Sequence, residues 1–150
     1  MLFRSIGNTA RPLHVFDKFD TRVAILKLFP GITEEVVAAV LDIPDLRGVV
    51  LETFGAGNAP THNWLYQRLR NAVERGIVIV NKTQCNTGSV SMGQYAVSLN
   101  LMKAGVISGY DITTEALLTK MMHVLGEHGQ EQEKVKKMLS ASLCGEMTVG

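Results

Sequence analysis

Four short runs of nearly continuous apolar residues divide the chain, and each run ends at glycine, proline or small polar residues. The runs lie at residues 23–29, 48–54, 77–80 and 106–109. Strands that are covered on both faces have this uninterrupted pattern, because neither face meets water. The pattern therefore predicts four buried β-strands.

Apolar residues at helical spacing separate these runs and predict five helices. The features that mark them are an N-cap at Thr33, a stripe from Trp64 to Val73 closed by Gly76, a third stripe at Tyr95, Leu99 and Met102 up to Gly105, a cap at Asp111 or Thr113, and a last helix from about residue 130. Strands that alternate with helices form a parallel sheet with right-handed crossovers. The predicted fold class is α/β, a three-layer Rossmann-like domain with a short, mainly parallel sheet of about four strands.

The first part of the chain differs from the rest. Residues 1–21 mix charged residues with scattered apolar ones and follow neither the helical nor the strand period. We expect an interdomain linker or arm over residues 1–21 and one domain over residues 22–150, because a chain of 150 residues can bury one compact core.

Charge and composition exclude several classes of function and of cellular location. Fifteen basic residues against 14 acidic ones give a formal net charge of +1, which is too weak a field to favour nucleic acid or anionic lipid. No apolar run approaches the roughly 20 residues that cross a bilayer, and the amino terminus has no secretory pattern. Two widely separated cysteines, Cys85 and Cys144, suit a reducing compartment. We expect a cytoplasmic protein with no nucleic-acid or membrane partner.

The segment after the second predicted strand begins like a dinucleotide-binding fingerprint. It reads Gly55, Ala, Gly57, Asn58, Ala, Pro60, so proline occupies the position of the third glycine and blocks the close helix packing which that glycine allows. We interpret the segment as a sharp turn that needs small residues, in which Asn58 could offer its amide to a neighbouring group.

The segment after the third predicted strand, residues 81–91, is predicted to be a loop. Small hydrogen-bonding side chains between Thr83 and Ser89 could hold a small zwitterionic ligand or form an ordinary polar loop. Cys85 has no adjacent cation to activate its thiol. His123 and His128 do not form the H-E-x-x-H metal motif, and no lipase-type serine motif or phosphate loop is present. We therefore predict no metal site, no cofactor and no catalytic residue in this chain.

Three longer segments carry a resemblance to a known family. They are residues 48–60 (GVVLETFGAGNAP), 76–85 (GIVIVNKTQC) and 105–120 (GVISGYDITTEALLTK), and residues 28–32 (LFPGI) agree with them. In order and spacing the chain resembles the C-terminal domain of type I, cytoplasmic bacterial L-asparaginases. The resemblance implies an amidohydrolase that converts L-asparagine to aspartate and ammonia through an acyl-enzyme on a threonine. The family's T-G-G-T and G-T-D-T motifs belong to its N-terminal domain and do not occur here, so the chain alone is expected to be inactive.

The resemblance also implies roles for particular residues. The N-terminal catalytic domain and a second copy in a homodimer would be the partners of this domain, and Gly55, Gly57 and Asn58 would lie beside the substrate site of the partner subunit. Thr83 and Cys85 would belong to a second, regulatory asparagine pocket. Regulated members carry arginine where this chain has Glu52, and an acid there is expected to repel the carboxylate of the ligand.

Two alternatives stay open at this stage. The chain could be a free-standing α/β module for small-amino-acid binding or dimerisation, which would bind asparagine or aspartate without hydrolysing it. A nucleotide-binding enzyme would require affinity for a dinucleotide despite Pro60.

Overall fold

The structure is a computed structural model that describes residues 15–85, 88–90 and 96–149, with the backbone alone described at 96–98. Its elements, in chain order, are β1 (Val23–Lys27), α1 (Glu34–Leu41), β2 (Gly48–Thr53), α2 (Asn63–Glu74), β3 (Val78–Thr83), α3 (Ala96–Lys103), β4 (Ile107–Ser108), α4 (Thr114–His128) and α5 (Gln132–Leu139). None of the described helices is long and apolar enough to span a bilayer.

The four strands form one parallel sheet in the order β1-β2-β3-β4. Each strand therefore lies beside the one before it. Right-handed crossovers that always step in the same direction leave their helices on the same face, so α1, α2 and α3 cover one face. The helices α4 and α5 cover the other face, and the three-layer α/β prediction is confirmed.

Side chains alternate between two cores along the central strands. Val49 and Leu51 of β2 and Ile79 of β3 are buried against α1, α2 and α3, whereas Val50 and Val80 are buried against α4 and α5. Because both faces are apolar, the strands read as continuous apolar runs. This alternation also decides which way the polar residues at the strand ends point.

One predicted boundary is wrong. Asn81, Lys82 and Thr83 were expected in a loop, but β3 extends to Thr83 and pairs there with Thr53 of β2. Polar side chains can occupy a buried strand when they find partners. The Thr53 hydroxyl donates to Asn81 Oδ1 at 2.7 Å on the face that α1, α2 and α3 cover.

The predicted stripe of α3 is also wrong in its orientation. Leu99 and Met102 are 42% and 49% exposed, while Leu101 and Ala104 are buried. Tyr95 lies outside the described residues. Pairs spaced by three residues occur in both stripes, so the spacing alone does not decide which stripe faces the sheet.

The predicted helix caps differ in their hydrogen bonds. Thr113 is the N-cap of α4, and its hydroxyl oxygen accepts from the backbone N–H of Ala116 at 3.2 Å, as expected of a cap. Thr33 holds the N-cap position of α1 but makes no side-chain cap bond. It hydrogen-bonds the carboxylate of Glu35 instead, which lowers the pKa of that group.

Residues 15–21 lie against α4. The backbone N–H of Asp20 donates to the carbonyl oxygen of Met122 at 2.9 Å, and the rings of Phe16 and Phe19 contact His123. A side chain at Gly126 would collide with the carbonyl oxygen of Lys18. The glycine therefore allows this segment to approach α4 closely.

The last ten described residues are held to α4 by a buried ion pair. Lys120 Nζ lies 2.7 Å from Glu146 Oε1, and their side chains are 4% and 10% exposed. Burial raises the pKa of Glu146, but hydrogen bonds from Lys120 and from the backbone N–H groups of Cys144 and Leu143 outweigh it and hold that pKa well below its usual value.

Candidate functional site

A tight turn follows β2 at the edge of the sheet where the strands end. Phe54 and Asn58 form an isolated antiparallel bridge, in which each backbone N–H donates to the carbonyl oxygen of the other residue at 2.8 Å. Between them, Gly55 and Gly57 have φ angles of +48° and +105°. Residues with a Cβ rarely adopt such angles, so the two glycines allow the chain to reverse here.

The turn is packed on one side and open on the other. A Cβ added to Gly57 would lie 2.9 Å from Val90 Cγ1 and 3.3 Å from Asn81 Nδ2, whereas one added to Gly55 would meet nothing within 4 Å. Asn58 is half-buried. Pro60 and the residues after it separate the turn from α2, which begins at Asn63, so the turn does not lead directly into a helix N-terminus as a dinucleotide site requires.

Hydrogen bonds of Thr83 connect this turn to the loop after β3. Its buried hydroxyl donates to the carbonyl oxygen of Gly55 and accepts from the backbone N–H of Cys85 at 3.0 Å. Gln84 connects two further strand ends, because its side-chain amide donates hydrogen bonds to the carbonyl oxygens of Leu28 at 2.6 Å and Glu52 at 3.0 Å. The ends of β1, β2 and β3 are thereby fixed relative to one another.

Glu52 lies on the opposite face of the sheet from Thr83. It is buried, at 8% exposure, and its carboxylate accepts from the hydroxyl of Thr114 at the start of α4 at 2.5 Å. Lys27 Nζ lies 3.8 Å from the other carboxylate oxygen. On the far side of Glu52 in the sheet, Lys82 occupies the same register position and is 6% exposed.

A polar pocket of about 320 Å³ opens on the face that bears Glu52. Its lining consists of Lys82, Cys85, Asp111, Ile112, Thr113, Thr114 and Glu115. Of the three residues predicted for a regulatory pocket, Cys85 lines this space and Glu52 contacts its wall through Thr114. The hydroxyl of Thr83 lies across the sheet, so the structure does not bring all three side chains together.

The remaining reactive groups are dispersed. Within residues 15–85, 88–90 and 96–149, no group of three His, Cys, Asp or Glu side chains is placed to hold a metal ion. His128 approaches Glu131 at 3.6 Å at the end of α4, and His123 contacts two phenylalanine rings. Cys85 and Cys144 are both exposed and reduced.

Comparison with known proteins decides the family. Residues 22–139 match the model of the glutaminase/asparaginase C-terminal domain. The chain belongs to this family. It is 48% identical over 136 residues to the human 60 kDa lysophospholipase and 41% identical over 126 residues to L-asparaginase 1 of Escherichia coli, which cover 91% and 84% of the chain. The crystal structure of L-asparaginase I from Vibrio cholerae matches 93% of it with a TM-score of 0.86 at 40% identity.

The chain spans only part of the length of these relatives. It corresponds to 23% of the human protein, 37% of the E. coli asparaginase and 41% of the Vibrio chain. The family prediction is thus confirmed for an asparaginase C-terminal domain.

Three residues of this C-terminal domain were not singled out from the sequence. Lys82 and Thr114 frame the polar pocket, and Gln84 links the strand ends. A signal for Lys82 was present, because the alternation that places Val80 towards α4 also places the residue two positions later on that face. No sequence signal indicated the long-range bonds of Gln84.

Proposed function

We propose that this chain is the C-terminal, dimer-forming domain of a cytoplasmic L-asparaginase, which hydrolyses asparagine to aspartate and ammonia. The observation that carries the proposal is the family match over residues 22–139 together with the similarity to two asparaginases named L-asparaginase 1 and L-asparaginase I. The N-terminal catalytic domain of the same protein and a second copy of it are the proposed partners.

The chain alone is proposed to be inactive. Acyl transfer through a threonine requires a hydroxyl beside a base. Among the described residues the two most buried threonine side chains form hydrogen bonds elsewhere, since Thr53 donates to Asn81 and Thr83 donates to the carbonyl of Gly55. This supports a division in which the N-terminal domain supplies the nucleophile.

Gly55, Gly57 and Asn58 are proposed to form part of the wall of the substrate site of the partner subunit. The turn lies at the edge of the sheet where the strands end, and this is where open α/β sheets meet their ligands. The Asn58 side chain is half-buried and forms no hydrogen bond with another residue that the structure describes. It could thus contribute an amide to a neighbouring site without first breaking a bond in its own domain.

A second asparagine pocket is proposed on the α4 face, where Glu52 and Cys85 lie, with Thr83 acting from the opposite face through its bond to the backbone of Cys85. Binding of asparagine in this pocket would make the state of the dimer depend on the asparagine concentration.

A chimera tests the proposal. The region of E. coli L-asparaginase 1 that aligns with this chain is replaced by this chain, and ammonia release is measured with asparagine and with glutamine. Asparagine hydrolysis supports the assignment. Because the human relative is named a lysophospholipase, fatty-acid release from a lysophospholipid is measured in parallel, and hydrolysis of that substrate alone would contradict the asparaginase assignment.

Within the active chimera, Asn58→Ala is expected to lower kcat/KM for asparagine about tenfold, as expected for the loss of one polar contact to the site. Asn71→Ala is the matched control, because Asn71 is exposed on α2. Equal kcat/KM values for the two variants would remove Asn58 from the substrate wall.

A second candidate function is an amino-acid-binding module without catalysis, and the buried Lys82 at the polar pocket favours it. Asparagine binding by the chain, combined with an inactive but folded dimeric chimera, would support this candidate against the first.

A further inference from the structure

A small pocket of about 260 Å³ lies on the helical surface of the domain, between α2 and α3. Each side chain of its lining can donate a hydrogen bond, and none is a carboxylate. The lining consists of Asn63, Tyr66, Gln67, Arg70, Asn100 and Lys103. The four residues from α2 occupy positions i, i+3, i+4 and i+7, so they lie along one face of that helix over about 10 Å. Two helices therefore present donors to the same space.

The lining of this pocket carries a net positive charge. Arg70 and Lys103 are exposed, and neither forms an ion pair with a residue that the structure describes. The sequence of α3 contains no acidic residue, and the one acid of α2, Glu74, is not part of the lining. An anion in the pocket would thus meet two opposite charges and no like charge from the lining.

The start of α2 adds to this positive potential. Its N-cap, His62, makes no side-chain cap bond, and its first turn contains no acidic residue. The helix therefore begins without a negative charge at the end where one is favoured. Asn63, the first residue of the helix, belongs to the lining. The helix end supports an anion here, although it does not by itself fix where one binds.

The hydroxyl of Tyr66 points more directly to a ligand. Tyr66 is 9% exposed, and among the described residues its hydroxyl is the one buried side-chain oxygen or nitrogen without a hydrogen-bond partner. Burial raises the pKa of Tyr66, and Asn100 offsets part of that rise without reaching hydrogen-bond geometry. A buried hydroxyl without a partner costs stability. An oxygen of a bound anion would supply the missing acceptor.

We propose that this pocket binds a small tetrahedral oxyanion with two negative charges, such as a phosphate group. Arg70 and Lys103 offset its charge, the Tyr66 hydroxyl donates to one of its oxygens, and the amide side chains of the lining donate to the others. Because the hydroxyl is covered, the exposed side chains of Gln67 and Asn100 rotate to admit the ligand. A zwitterionic amino acid is disfavoured, since the lining offers no carboxylate to its ammonium group.

An NMR titration of the 150-residue chain with inorganic phosphate, at constant ionic strength, tests this assignment. We expect saturable shifts of the side-chain amide signals of Asn63, Gln67 and Asn100, with a dissociation constant on the order of 1 mM. Acetate, which has one negative charge and two oxygens, should bind at least about tenfold more weakly.

Two neutral variants test the charges of the lining. Arg70→Gln and Lys103→Gln should each weaken phosphate binding at least about fivefold. Lys137→Gln is the matched control, because Lys137 is exposed on α5, across the sheet from this pocket, and its loss changes the net charge equally. This control should change the affinity less than about twofold.

Tyr66→Phe separates ligand binding from folding. We expect phosphate to bind this variant at least about threefold more weakly. Its ligand-free Tm should equal or exceed that of the unaltered chain, because the variant removes a buried hydroxyl that has no partner. A purely structural role of the hydroxyl would give the opposite pattern, with a lower ligand-free Tm and an unchanged affinity.

Two further probes distinguish the sources of a phosphate group. Glycerol 3-phosphate carries the group on a soluble molecule, and phosphatidylcholine vesicles that contain phosphatidic acid carry it on a lipid. Binding of glycerol 3-phosphate without binding to the vesicles would support a soluble ligand. Vesicle binding that is lost in Lys103→Gln would support a lipid headgroup in the same pocket.

Three results would overturn the assignment. They are the absence of saturable shifts with phosphate, acetate binding within twofold of phosphate binding, and phosphate binding by Arg70→Gln and Lys103→Gln within twofold of the unaltered chain. None of these readouts involves hydrolysis. A chimera without asparaginase activity would contradict the proposed function and would leave these titrations unaffected.

Discussion

Gly57 shows how much one position in the turn after β2 depends on the absence of a side chain. Its φ angle is +105°, and an added Cβ would lie 2.9 Å from Val90. Gly55 has φ of +48° and open space around it. The two glycines share a turn and a positive φ angle, so they separate the conformational cost of a side chain from its steric cost.

Gly57→Ala is expected to lower the free energy of unfolding by about 3 kcal/mol, because strain at a positive φ angle adds to overpacking against Val90. Gly55→Ala should cost only about 1 kcal/mol, the conformational term alone. Urea denaturation of both variants measures the difference. Equal losses would show that Val90 yields and that packing does not constrain the turn.

The ion pair between Lys120 and Glu146 gives the stability of the domain a dependence on pH. The pKa of Glu146 is lowered from 4.5 in the folded protein. The ionised Glu146 therefore contributes its full stabilisation above the pKa that this carboxyl has in the unfolded chain, near 4.5. The stabilisation is lost as the pH falls from there towards the pKa of Glu146 in the folded protein.

Glu146→Gln should lower the free energy of unfolding by about 3 kcal/mol at neutral pH, because Lys120 remains buried with its partner removed. The loss should shrink as the pH falls below about 4. Glu133→Gln is the control, since Glu133 is 89% exposed in its pair with Lys136, and it should change stability by less than about 0.5 kcal/mol. Urea denaturation of the unaltered chain and both variants from neutral to acid pH measures these free energies. A loss in Glu146→Gln that does not change with pH would contradict the prediction.

The helix α4 contacts several separate parts of the described chain. It packs on the sheet, contacts α5, holds the C-terminal segment through Lys120 and carries residues 15–21 along its outer side. Gly126 makes the last contact possible, because any side chain there would collide with the carbonyl oxygen of Lys18.

Gly126→Ala should release residues 15–21 from α4 without weakening the helix, since alanine favours a helix by about 1 kcal/mol over glycine. Hydrogen exchange at the amide of Asp20, which donates to Met122 at 2.9 Å, is expected to accelerate at least about tenfold while exchange in the core strands stays unchanged. Glu115→Ala, on the same helix away from this segment, is the control. Unchanged exchange at Asp20 in Gly126→Ala would show that the segment adapts.

The sequence predicted the elements better than it predicted their ends and faces. The apolar runs indicate buried strands because both faces of the sheet are covered. The polar end of β3 was missed, because one partner that stabilises Asn81 is Thr53, 28 residues earlier in the chain. Leu99 and Leu101 are equally apolar, so only packing against α2 and the sheet decides which of them is buried.

For the candidate site, the sequence indicated the two relevant segments but not their geometry. Both follow a central strand, which places them at one edge of a parallel sheet. The face on which each side chain lies depends on how far β3 extends. Because β3 extends to Thr83, Glu52 and Thr83 lie on opposite faces of the sheet. The burial of Lys82 follows from the extension of β3 beyond its apolar run.

At the scale of the whole molecule, two apolar cores on opposite faces of one sheet hold a single polar edge in place. The turn at Gly55, the hydroxyl of Thr83 and the pocket at Lys82 all lie along that edge. The chain spans 37% of the E. coli asparaginase that it resembles. We propose that an N-terminal partner domain carries out the chemistry and that this domain contributes to the wall of the substrate site and to a second pocket.

Ammonia release from L-asparagine, measured in parallel for the 150-residue chain alone and for its chimera with the N-terminal part of the E. coli enzyme, tests this division most directly. We expect no release above background from the chain and clear turnover from the chimera. Turnover by the chain alone, or a folded dimeric chimera that releases no ammonia, would contradict the assignment of this domain as the non-catalytic half of an asparaginase.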